Sequence, residues 1–162
     1  MQPSKRDGVF TLVVNAGGIV AAVGFGLLAL LVATDIVVRN LALARWPWLN
    51  EVTEYLLTLS TFLGAPWVLR HGGHVNIDIL LRLMSPAVAR VVVRVSYVLG
   101  AVICGICAWL AITVLLDSRA SGAAVFKNLV FPEWWLMLPM VWCFTLSTIE
   151  FVLRIGGEVR PT

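Results

Sequence analysis

Residues 50–86 read NEVTEYLLTLSTFLGAPWVLRHGGHVNIDILLRLMSP, an apolar run with polar side chains gathered at both ends. Glu51 and Glu54 stand at its entrance, and Arg70, His71, His74 and Asp78 at its exit. A helix that only had to cross a bilayer would carry no such collar. Ionisable groups near hydrocarbon are costly unless paired, so the collar marks contacts with other protein.

The middle of this stretch, residues 52–69, is long enough to cross a membrane. Glu51, Glu54, Thr58, Thr61 and Ala65 step by three and four, which places them on one helix face. That face is expected to look into protein rather than lipid. Past Arg70, Gly72-Gly73 permits a bend, and IDILLRLM forms a short amphipathic piece suited to the membrane surface. Ser85-Pro86 reads as an N-cap followed by proline at the first helical position. A third helix therefore starts ahead of its apolar part, residues 91–116, and carries Arg90 and Arg94 on one face.

On the N-terminal side, residues 10–33 are free of charge and exceed the 20 or so residues that a hydrocarbon core requires. The run is too long for a signal peptide and has no small-residue cleavage site, so an uncleaved span is expected. Gly18, Ala22 and Gly26 recur every four residues and are expected to let a neighbouring helix approach. Residues 34–51 form the connection, where Trp46 and Trp48 suit the headgroup layer. On the C-terminal side, residues 117–133 form the last connection and residues 134–153 a fourth span. Pro139 is expected to kink that span one turn in, and Glu150 with Arg154 makes an i, i+4 pair at its far end.

Composition agrees with a membrane as the solvent. The 162 residues are 60% hydrophobic and 13% charged, with a mean hydropathy of +0.93. A soluble domain carries about twice that share of charge. The net charge of +3 comes from residues scattered near span ends, which excludes a nucleic-acid surface. Lys5, Arg6, Arg70, Arg82, Arg90, Arg94, Arg154 and Arg160 fall on one side, against Arg39, Arg45, Arg119 and Lys127 on the other. The positive-inside rule then puts both termini in the cytoplasm. The expected fold is an all-α integral membrane protein: one domain, four transmembrane helices in a bundle, both ends inside, with a short amphipathic segment between helices 2 and 3.

Chemistry-bearing patterns are few. Cys104 and Cys107 spell CxxC, but they lie mid-span, where a thiolate is disfavoured, so they read as packing thiols. His71, His74 and Asp78 lack a second ligand set, so no metal, haem or other cofactor is expected. No Ser/His/Asp set, nucleotide loop or pair of catalytic carboxylates is present, so no enzyme is expected. Glu54 has two readings: partner of a basic group, or proton carrier of a small drug antiporter.

The run through Glu51, Leu56, Gly64, Arg70, Gly73-His74-Val75 and Asp78 resembles the signature of the small membrane subunit (DctQ-type) of tripartite ATP-independent periplasmic (TRAP) transporters. The last span is similar too, in its Pro132–Trp135 entry and Leu138-Pro139. Asn50 departs from the pattern, where an acidic residue often stands. The resemblance implies a symport system in the bacterial inner membrane. Its partners would be a large permease subunit and a periplasmic binding protein that delivers an organic acid. The small subunit would be a scaffold embedded in lipid, with no substrate or catalytic residue of its own. Structural and interaction roles then fall to Glu51, Glu54, Gly64, Arg70, Gly73, His74, Asp78, Arg94 and Pro139. Asp78 is expected to accept from Arg70, His74 or Arg94 in a polar lock.

Overall fold

Four helices carry the apolar runs, and each reaches beyond its charge-free stretch. The computed structural model describes residues 5–41, 46–71, 85–127 and 129–156. Its elements are α1 (Lys5–Asn40), α2 (Pro47–Arg70), α3 (Pro86–Ser121), strands β1 (Ala124–Phe126) and β2 (Val130–Pro132), and α4 (Trp134–Gly156). The expected spans were bounded by charge, but charge does not end a helix. Asp35 and Arg39 continue α1 as an i, i+4 ion pair at 2.6 Å. Pro47 opens α2 at its first turn, where a fixed φ and a missing N–H cost nothing. The 34–51 connection therefore shrinks to residues 41–46.

Ser85 and Pro86 open α3 as the sequence indicates, although the Ser85 hydroxyl makes no capping bond. The helix stops at Gly122, whose φ of 66° is the left-handed conformation that glycine adopts without strain. There the Ala123 amide donates to the Ser118 carbonyl at 3.2 Å. A small antiparallel hairpin follows, pairing Val125 with Phe131 and Phe126 with Val130. The sequence reading did not anticipate it, because strands of three residues are too short for an alternating pattern to stand out.

The expected bundle is an open row. Extensive packing joins α1 to α2, α2 to α4 and α4 to α3, and no comparable interface joins α1 to α3. Arg70 at the end of α2 reaches Thr11 near the start of α1, and Arg154 near the end of α4 reaches the end of α2. The start of α1 and the ends of α2 and α4 therefore share one end of the row, and the hairpin lies at the other.

By length and composition α1, α3 and α4 can each cross a membrane. Glu54, the threonines, Ser60 and Pro66 dilute the apolar character of α2. Its 24 residues still extend about 36 Å at 1.5 Å per residue, between α1 and α4.

The small-residue face of α1 is the expected one at Gly18 but not beyond it. Gly26 faces open space and Ala22 is exposed, whereas Val14, Gly17, Ala21 and Gly24 are buried. Spacings of three and four follow the helix more closely than a strict four, which drifts around it. At Gly17 a Cβ would press on the Leu63 carbonyl, and at Gly18 it would fall within the Trp67 indole. Gly64 returns the fit from α2, where a Cβ would lie 3.0 Å from that of Ala21. Phe151 fills the space over Gly100 in the same way between α3 and α4.

Candidate functional site

Within the chain itself, the expected protein-facing side of α2 is covered only in part. Glu51 is buried, but Glu54, Thr61 and Ala65 are exposed, and burial shifts to Leu49, Ser60 and Pro66. Ser60 turns towards Gly24 of α1, and a helix inside a row keeps an uncovered stripe on each side. The polar groups of α2 instead act at its two ends, where they fasten it to α4 and to the hairpin leading into α4.

At the hairpin end, Glu51 is only 9% exposed and accepts from the Leu129 amide at 3.0 Å. One turn on, Glu54 receives both of its hydrogen bonds from Lys127 Nζ, at 3.1 and 3.3 Å. Tyr55 meets Phe131 edge to face, with ring centroids 5.1 Å apart. The Lys127 ammonium also lies 5.7 Å from the Tyr55 ring centroid. The hydrogen bond to Glu54 is the main cause that raises the Lys127 pKa above its ordinary value. Glu54 thus has the basic partner that one of its two readings requires.

At the opposite end, Glu150 is buried between two arginines. It accepts from Arg154 Nε at 3.0 Å and pairs with Arg70 Nη1 at 3.5 Å. Arg154 also donates through Nη2 to the carbonyls of Leu69 and Arg70, at 2.6 and 3.0 Å. Those carbonyls belong to the last turn of α2, where the helix supplies few N–H donors of its own. Arg70 in turn donates to the Thr11 hydroxyl at 2.7 Å and lies over the Phe10 ring. One carboxylate and two guanidiniums therefore bind three helices. Between the two ends the α2–α4 contact is apolar, with Phe62 against Phe144.

Of the expected lock, only Arg70 and Arg94 fall within the described residues. Among the described residues Arg70 engages Glu150 and Thr11, and Arg94 is exposed on α3. Gly73, His74, Asp78 and the amphipathic piece lie outside the described residues. His71 stacks on Trp67 and its Nδ1 lies 2.9 Å from the Trp67 carbonyl. Pro139 is accommodated within α4, as Pro66 is within α2. Cys104 and Cys107 are free and half-buried in α3.

Sequence reasoning missed the Arg70–Glu150 pair, which joins residues 80 apart in the chain. A signal was present: opposite charges at the same end of two parallel spans, each otherwise hard to place in an apolar setting. The Leu129 amide had no signal of its own, since any loop N–H could have met Glu51.

The family model for the DctQ component of tripartite ATP-independent periplasmic transporters matches residues 28–160. No curated protein and no solved structure matches the chain.

Proposed function

Since the chain belongs to the DctQ-component family of TRAP transporters, we propose that this small permease subunit works as a rigid scaffold for the large permease subunit. In that role it supports ion-coupled uptake of an organic acid delivered by a periplasmic binding protein. It sits in the bacterial inner membrane with α2 as a fourth span and both termini in the cytoplasm. The observation that carries the scaffold reading is the α2–α4 seam. Its buried carboxylates, Glu51 with the Leu129 amide and Glu150 with Arg70 and Arg154, are paired at the two ends, so they fix helices rather than line a path for solute.

The antiporter reading of Glu54 fares worse. A proton carrier works within the membrane, whereas this carboxylate is 59% exposed at a helix end and bound to Lys127. The deciding experiment is reconstitution in liposomes, with and without the large subunit and binding protein. Uptake should require all three. Saturable transport by this chain alone would overturn the scaffold.

A further inference from the structure

Between α2 and α4, beneath the hairpin, lies an open-sided hollow of about 420 Å³. Tyr55, Thr58, Phe131, Leu136 and Pro139 line it, and its walls are almost wholly apolar. One polar atom breaks the pattern. Tyr55 Oη is buried and has no hydrogen-bond partner among the described residues. A phenol in that state is costly, and Tyr and Trp hydroxyls and amines normally find a partner when buried. At the rim stand a cation and an anion, Lys127 and Glu54, both substantially exposed although paired. Trp135, a residue type favoured at the headgroup level, lies alongside.

We infer that this hollow is a binding site for a zwitterionic phospholipid of the leaflet at the hairpin end. Its acyl chain fills the apolar space, and an ester carbonyl accepts from Tyr55 Oη. The headgroup phosphate meets Lys127 and its ammonium meets Glu54. The order of features in the site, from apolar hollow to neutral donor to paired opposite charges, is the order along such a lipid. An anionic headgroup lacks the cation that Glu54 would receive, and Glu51 close by adds to the repulsion. The inference depends on the chain's membrane setting and not on which permease it joins.

The test is native mass spectrometry of the full chain in mild detergent, with phosphatidylethanolamine or phosphatidylglycerol of identical chains added. One phosphatidylethanolamine should be retained per chain, in clear preference to phosphatidylglycerol. Tyr55→Phe should weaken retention about fivefold, the equivalent of one hydrogen bond. It should not lower the thermal stability of the lipid-free chain, because the lost hydroxyl has no partner there among the described residues. Leu136→Trp, which fills the hollow, should abolish retention. No retained lipid, equal retention of the two lipids, or unchanged retention by Tyr55→Phe would overturn the assignment. So would a photo-crosslinker at position 136 that captures the large permease in the assembled transporter instead of phospholipid.

Discussion

Arg154, on the last turns of α4, closes the end of α2 by donating to the Leu69 carbonyl at 2.6 Å. The same guanidinium holds Glu150, so one side chain both caps a neighbouring helix and neutralises a buried carboxylate. Arginine suits this task because its donors are fixed in a planar fork.

Arg154→Met should therefore destabilise the chain by on the order of 1–3 kcal/mol, since it removes a donor from two carbonyls and leaves Glu150 with Arg70 alone. Arg39→Met is the control. Its ion pair with Asp35 lies within one exposed helix turn, and its loss should cost less than about 0.5 kcal/mol. Thermal unfolding in detergent measures both. Equal effects would show that Arg154 caps nothing of consequence.

The α1–α2 contact can be probed with two glycines eight residues apart. Gly18→Leu should force the Trp67 indole out of place and cost about 1–3 kcal/mol by overpacking. Gly26→Leu should be nearly neutral, because nothing lies within 4 Å of its Cβ position. A similar loss of folded yield from both substitutions would contradict the packing face.

The Lys127–Glu54 pair predicts an alkaline transition at the hairpin. Lys127 has a raised pKa, so its contribution is complete below the ordinary lysine value of 10.5 and disappears as pH rises through the folded value. A spin label at Val130 should stay immobile through neutral pH and loosen only above about pH 10.5. In Lys127→Met the alkaline step should disappear, while Glu51 still holds the Leu129 amide. Loosening near neutrality would mean that another group holds the hairpin.

Orientation is testable with single cysteines in a cysteine-free background. Phe126→Cys, at the exposed tip of the hairpin, should react with an impermeant thiol reagent in intact cells. Gly8→Cys, near the start of α1, should react only after the cells are opened. The reverse pattern would invert the topology read from loop charge.

The order of the four described helices was legible because long apolar runs have few other uses. Lengths were less so. Helices end at residues such as Gly122, and the charges at Asp35 and Arg39 satisfy each other without breaking the turn. The Glu150–Arg154 pair could be read directly, being local. The partners of Glu51 and Arg70 could not, since each depends on which helix lies beside α2. The drift of burial from Ala22 and Gly26 to Ala21 and Gly24 had the same origin. A face can be located on a helix from spacing, but its direction is set by the neighbour.

The open row has a mechanical consequence. It consists of two leaves, α1 with α2 and α3 with α4, which meet along α2 and α4 in the least extensive of the three helix contacts. Two leaves on one seam would ordinarily swing. Here bolts are thrown at both ends, Glu51 to the Leu129 amide at one and Arg154 to the Leu69 carbonyl at the other, and a hinge bolted top and bottom becomes a panel. A load applied to either leaf must then pass to the other without folding the sheet between them.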